Sequence, residues 1–279
     1  MSRRSGLAVY VTSHGYGHLN RTAAVLNRLP VELPVTIRCA LDLFDHWRER
    51  LLRPAELEAY VSDSGAVNPP GDSAATDGPA TIEQALRVHA RAMDRIDEEI
   101  ARLREGRFAA VLADIPAVPL AAAARAGLPA LALGNFTWSE IYAEHAERLG
   151  PEARELVADL RRLYGEATAA FRAEPALPMR EFRRRIDVGL VVTPGRDRRA
   201  ELVERLGIAP SERLVYFYVG RYGQANLRWG RLGAMRGLHF VGFHPAPGEA
   251  LPNWHVVPAD EWTGADLAAS CDVAAAKAG

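Results

Sequence analysis

Lysine is almost missing from this 279-residue chain: of 34 basic residues one is lysine, Lys277, and 33 are arginine. With 35 acidic residues the formal charge is −1, which excludes a general attraction to nucleic acid or anionic lipid. Any bound anion must be held by a local site. Cysteine is scarce as well. Cys39 and Cys271 are too few for a disulfide framework or a zinc site, and a reducing, cytoplasmic compartment is expected. No apolar run reaches membrane-spanning length, and the apolar residues 7–11 are too short for a signal-peptide core. The lone lysine stands in 274–279, where a compact ammonium suits an anion better than a guanidinium fork.

What is present is an alternation of short β-rich runs and helical periods. Residues 7–12 read as a strand, and Leu19, Ala23, Leu26 and Leu29 place apolar groups at helical spacing. A strand at 35–40, a helix at 42–52 and a strand at 57–61 continue the pattern, which is βαβ from the outset. Residues 63–79, rich in Ser, Gly, Pro and Asp, predict an exposed, mobile loop. Thr81 and Gln84 form a capping-box pattern that opens a helix running to about Glu105. Strands at 108–113 and 129–133 flank a small-residue helix at 118–126. Helices at 139–149 and from Pro151 to about Ala173 precede a strand at 188–192. The rhythm then restarts with a helix at 198–206 and strands at 214–219, 238–243, 255–257 and 272–276. The expectation is an α/β fold of two Rossmann-like, doubly wound domains, residues 1–195 and 196–279, the second incomplete. On that reading the chain is a piece of something longer.

The first strand-to-helix loop carries the chemistry. In open parallel sheets ligands bind beyond the carboxyl ends of the strands, and VTSHGYGHLN (residues 11–20) supplies His14, Gly15, Gly17 and His18 there. The glycines let backbone approach a ligand, and the amides opening the helix favour an anion. A neutral imidazole at His18 can accept a proton from a hydroxyl; loop hydrogen bonding is the alternative for both histidines. Arg21, one turn on, pairs with a phosphate or stays solvated. Gly15-Tyr-Gly17 with Asp42 as a ribose acid also suggests a dinucleotide fingerprint, but Asn20 stands where the third glycine belongs. Asp114, at a strand end, faces the ligand or caps the next helix. Asn135, Thr137 and Trp138 after the next strand offer an amide, a hydroxyl and an aromatic face, with core packing the alternative for the tryptophan.

Three segments carry a resemblance. Residues 11–21 (VTSHGYGHLNR), 113–119 (ADIPAVP) and 134–142 (GNFTWSEIY) resemble GT-B-fold glycosyltransferase-like proteins, above all the glycosyltransferase-like region of L-arabinokinases and their bacterial stand-alone relatives. Residues 267–279 are similar to the segment that leads into that group's donor motif. The resemblance implies two Rossmann-like domains facing across a cleft, the first taking acceptor and the second a nucleotide sugar. It implies His18 as base or hydrogen-bond donor, with Asp114, facing the cleft, as the second catalytic residue. His14, Gly15, Gly17, Arg21, Asn135, Thr137 and Trp138 are then assigned to substrate, and Gly220, Arg221, Gly223, Lys277 and Gly279 to the nucleotide. No cofactor and no bound metal are implied, because helix dipoles and basic side chains stabilise the leaving diphosphate. The expected partners are a nucleotide sugar and a hydroxyl acceptor, with no nucleic acid and no membrane span. The leading expectation is hexosyl transfer. A nucleotide-sugar hydrolase, which the Gly-x-Gly-His-x-x-Arg pattern also resembles, and a non-catalytic sugar-nucleotide sensor are the alternatives.

Overall fold

The structure, a computed structural model, describes residues 5–72, 75–218, 227–246, 248 and 250–276. The chain divides into two compact units, Met1–Val67 with Asp77–Val192, and Asn68–Thr76 with Thr193–Gly279. In the first unit the order is β1 (Gly6–Val11), α1 (Tyr16–Leu26), β2 (Val35–Cys39), α2 (Phe44–Arg50), β3 (Glu56–Ala59), α3 (Gly78–Asp94), α4 (Ile96–Glu105), β4 (Phe108–Asp114), α5 (Ala117–Arg125), β5 (Ala130–Gly134), α6 (Trp138–Leu149), α7 (Pro151–Tyr164), β6 (Ala169–Ala173) and β7 (Arg185–Gly189). The second unit contributes α8 (Arg199–Leu206), β8 (Arg213–Tyr218), α9 (Trp229–Gly233), β9 (Leu238–Gly242), β10 (Trp254–Val256), α10 (Gly264–Ser270) and β11 (Val273–Ala276).

The first sheet has seven strands in the order β3-β2-β1-β4-β5-β6-β7, every pair parallel. Buried on both faces, its central strands read as near-continuous apolar runs. Val9, Val11 and Ile37 look onto Leu19, Leu26 and Trp47 of α1 and α2. Ala8, Tyr10, Val111 and Ala113 look onto the layer that includes α3 to α7. Strand order reverses between β1 and β4, and at that switch point the last residue of β1, Val11, lies level with Asp114, itself level with Leu133 of β5. The loops after these three strands therefore open at one place. The second sheet repeats the plan with four parallel strands, β10-β9-β8-β11, over a core of Leu202, Leu214, Val241, Trp262 and Leu267. No helix among the described residues is long and apolar enough to cross a membrane.

Three predicted elements differ. The single helix expected from Thr81 to Glu105 begins at Gly78, capped by the Asp77 side chain on Ala80 N with Pro79 in its first turn, and breaks at Arg95 into α3 and α4. The Thr81 hydroxyl is not a cap, because it accepts from Val67 N. The helix expected to reach Ala173 stops at Tyr164, and residues 169–173 form β6. The next strand lies three residues earlier than expected, at Arg185–Gly189.

The small-residue helix α5 explains how so many layers close on the sheet. Ala121, Ala122 and Ala123 have no exposed surface, since α5 packs on β4, β5, α4 and α7 together. Ala122→Leu is expected to destabilise the chain by about 1–3 kcal/mol through overpacking, read as a lower urea midpoint. Ala124→Leu, on the half-buried side of the same helix, is expected to change it little.

Candidate active site

Gly15 ends the first loop with φ of 80° and stands at the N-cap of α1, so the helix starts at Tyr16. His18 is therefore the third helical residue and not part of an open loop. A positive φ is a conformation that glycine adopts without strain, and a Cβ placed at Gly15 or Gly17 would meet nothing within 4 Å. Both glycines face open space. Because helical Cα–Cβ bonds tilt toward the amino end, His18, Arg21 and Thr22, at i, i+3 and i+4, reach back from one face of α1 to the end of β4.

They converge on Asp114, which has no exposed surface. Its Oδ1 lies 3.0 Å from His18 Nδ1 and accepts from Arg21 Nη2 at 2.5 Å. Its Oδ2 accepts from Arg21 Nε at 3.0 Å and from the Thr22 hydroxyl at 2.7 Å. Arg21 also donates through Nη1 to Asn135 Oδ1 at 2.7 Å, and its Nη2 stands 2.9 Å from His18 Nδ1. Burial acts to raise the Asp114 pKa, but the Arg21 charge and the His18 contact outweigh it and hold the carboxyl down at about 2. Asp114 does not cap α5, whose N-cap, Pro116, has no side-chain bond. Arg21 is engaged internally, so its guanidinium is already committed before any phosphate arrives.

Backbone strain sits beside this carboxylate. Ile115 has φ of 83°, an outlier for a β-branched residue that persists only where packing enforces it. Tyr164 donates to its carbonyl at 2.9 Å, and Gly134 leaves room for its side chain, since a Cβ there would lie 2.9 Å from Ile115 Cδ1.

Thr137 and Trp138 have structural work. Thr137, 1% exposed, caps α6 in a reciprocal box with Glu140. Trp138, 2% exposed, stacks on Tyr142 with centroids 5.5 Å apart and takes Phe136 and His14 edge-on. Neither offers a face to a ligand. His14, next to Gly15, and Asn135, bonded by Arg21, stay half-buried.

Sequence reasoning missed Asp63, expected in an exposed loop. The segment is instead tied down: Trp138 Nε1 donates to Asp63 Oδ2 at 2.6 Å, the Tyr142 hydroxyl donates to the Ser64 carbonyl, and Gly65 lies on the His14 ring, where a Cβ would fall 1.7 Å from Nδ1. With its carboxyl turned inward onto an indole and no cation among the described residues bonded to it, burial pushes Asp63 up to about 6, against the pull of Trp138, Thr12 and His18. Gly220, Arg221, Gly223, Lys277 and Gly279 lie outside the described residues. Among the described residues no group of three or more His, Cys, Asp or Glu is placed to hold a metal ion.

The architecture is that of GT-B glycosyltransferases. UGT2 of Phytolacca americana, solved with UDP-2-fluoro-glucose and pterostilbene, superposes with a TM-score of 0.58 at 15% identity over 93% of this chain and 72% of its own. A UDP-glucosyltransferase of Polygonum tinctorium that glucosylates indoxyl gives 0.58 at 15%, over 95% and 73%. The calicheamicin glycosyltransferase CalG4 gives 0.51 at 17%, over 94% and 70%. In sequence, 222 residues are 30% identical to the L-arabinokinase of Arabidopsis thaliana, 78% of this chain and 21% of that protein. The chain thus spans about a fifth of the length of the curated relative it matches. No family model matches.

Two outcomes follow from the carboxyls. A group held below its ordinary pKa contributes stability above the unfolded value, near 3.8, that is lost as pH falls toward 2. Asp114→Asn, which leaves Arg21 without its counter-charge, is expected to cost about 3–5 kcal/mol at pH 7 and to flatten acid unfolding between pH 4 and 2. Asp63 has the opposite sign: its raised pKa favours the fold below about 3.8, and that advantage is lost as pH rises to about 6. Asp63→Asn is expected to gain on the order of 2 kcal/mol over wild type at pH 7.5 and nothing at pH 3.5, read from urea midpoints at the two pH values.

Proposed function

We propose that this chain is the glycosyl-transferring part of a GT-B enzyme, moving a hexosyl group from a nucleotide sugar to a hydroxyl acceptor, with His18 as the base. The observation that carries the reading is the His18–Asp114 pair, 3.0 Å apart, at the switch point between β1 and β4. An unprotonated Nδ1 could accept from Arg21 Nη2, but that group already donates to Asp114 Oδ1 at 2.5 Å, and the lone pair would be set against the same carboxylate oxygen. The favoured tautomer therefore carries the proton on Nδ1, donates it to Asp114 and leaves the Nε2 lone pair for an acceptor hydroxyl. Asp114, its pKa near 2, stays ionised throughout and serves as the positioning residue for that ring. Arg21 and Thr22 keep the carboxylate in place, so the base is oriented before substrate arrives.

In this reading residues 1–195 take the acceptor and residues 196–279 the nucleotide sugar. Gly220, Arg221 and Gly223 follow β8 in sequence, and Lys277 and Gly279 follow β11; they are the proposed nucleotide contacts. The donor is a UDP-sugar, by analogy with the UDP-sugar enzymes that share the fold, and the developing diphosphate charge is met by helix amides and basic side chains. A proton leaves the acceptor hydroxyl for His18 Nε2 as its oxygen bonds the anomeric carbon and the C–O bond to the diphosphate breaks, the nucleoside diphosphate departing with the electron pair. Water in place of the acceptor gives the hydrolase.

Incubation with a panel of nucleotide sugars, with and without hydroxyl acceptors, separates the readings by release of nucleoside diphosphate. Acceptor-dependent release is expected. His18→Ala is expected to lower turnover by roughly two to four orders of magnitude, while a circular-dichroism melt reports whether it stays folded. Retained turnover removes His18 as the base, and release independent of acceptor assigns hydrolysis.

A further inference from the structure

Resting on the glycosyltransferase reading, we propose that the acceptor is a polyhydroxylated, uncharged molecule, a sugar or a polyol, and that Asp63 is the residue that binds it beside His18. Three observations converge. The first is what the site does not offer. Phe136, Trp138 and Tyr142 are 9%, 2% and 2% exposed and turned on one another, and Phe136 meets His18 edge-on at 5.5 Å. Tyr16, at the start of α1, is turned onto His46 with centroids 4.1 Å apart. Among these residues no free aromatic face is left for a flat ring to stack on, which a planar phenolic acceptor would need for most of its binding energy.

The second is what the site does offer. Ser13 and His14 precede the open glycines, Asp63 bears on His18 and is bonded by Thr12, and Asn135 accepts from Arg21; all four are half-buried and polar. The hydroxyls of Ser13 and Ser64, on the two segments that meet at the Gly65–His14 contact, are buried and have no hydrogen-bond partner within the described structure. Ser64 is 6% exposed as a residue. Buried hydroxyls left unpaired cost stability and call for a bound partner, either a ligand or water.

The third is the carboxyl itself. Asp63 stands close enough to His18 and Asp114 for each charge to bear on it, yet among the described residues no cation is bonded to it, and its side-chain partners are two neutral donors, the Trp138 indole at Oδ2 and the Thr12 hydroxyl. Such a carboxylate has lone pairs to spare, and it can accept from neighbouring hydroxyls of one molecule. An anionic acceptor would meet a carboxylate there, which argues for an uncharged one. The same group costs the fold stability at neutral pH, as a functional carboxyl kept against the fold's interest does.

The test is saturation-transfer NMR on the full chain with free monosaccharides, myo-inositol and a planar phenol as probes, on wild type, Asp63→Asn and Ser13→Ala. Asp63→Asn keeps a side-chain oxygen for the Trp138 indole and should fold. Binding of at least one polyhydroxylated probe is expected, weakened tenfold or more by Asp63→Asn, with little signal from the phenol. In the coupled assay with that probe as acceptor, Asp63→Asn should raise KM and leave kcat within a few fold. A phenol that binds where no polyol does overturns the proposal, as does polyol binding indifferent to Asp63→Asn; both leave the glycosyltransferase reading intact. That reading fails separately, if no nucleotide sugar is turned over or if His18→Ala has no effect.

Discussion

A carboxylate with no exposed surface cannot stand alone in a protein interior. Stripping Asp114 of water costs several kcal/mol, and the cost is offset only because one face of α1 delivers a guanidinium, an imidazole and a hydroxyl to its two oxygens. The donors come from one helix and the acceptor from a strand more than ninety residues later. That network fixes α1 over the β1–β4 junction together with the apolar packing of Leu19 and Leu26, which adjoin Thr22 on the same buried side of the helix. The strained Ile115 follows directly, because the chain must leave the strand sharply for Asp114 to be enclosed.

Two aspartates in one neighbourhood are driven in opposite directions, and the difference lies in who touches them. Asp114 meets a permanent cation and is held at about 2. Asp63 meets a neutral indole and a hydroxyl and rises to about 6. Environments that separate the pKa values of paired carboxyls are how one site assigns separate roles to the same chemical group. Here the low one orients an imidazole for the whole working pH range, and the high one is the group still able to change its state and its partners.

Much of the fold could be read before any coordinates, because the strands are apolar runs bounded by turn residues and the helices carry a 3.6 period. The core of the site was readable for the same reason: His18 and Arg21 stand one turn apart, and Asp114 closes an apolar strand. Asp63 was not. Residues 63–79 have the composition of a solvated loop, and nothing local reveals that Gly65 is needed because His14 lies beneath it or that Trp138 reaches across to Asp63. The same limit hid β6, whose alanine-rich residues 169–173 continue the composition of the helix before them and become a strand only because β5 offers a free edge. Thr137 and Trp138 looked like a sugar-binding pair because a hydroxyl and an indole after a strand suit either purpose; burial assigned them to the α6 cap and the core.

The second unit carries the same geometric argument with different residues. Its order β10-β9-β8-β11 has the form third-second-first-fourth, as the left part of the first sheet does, so its reversal falls between β8 and β11. Segments leaving the carboxyl ends of those two strands are where a parallel sheet leaves space for a ligand. In the first unit the corresponding segments follow β1 and β4, and there stand His14, Gly15, Gly17 and His18 on one side and, closing β4, Asp114 on the other. By that correspondence the chain's one lysine, Lys277, the first residue in sequence after Val273–Ala276, holds the sequence slot that Ile115 holds after Asp114. In the first unit that slot belongs to a residue of strained backbone, at the point where the chain leaves the strand and encloses a charge of its own.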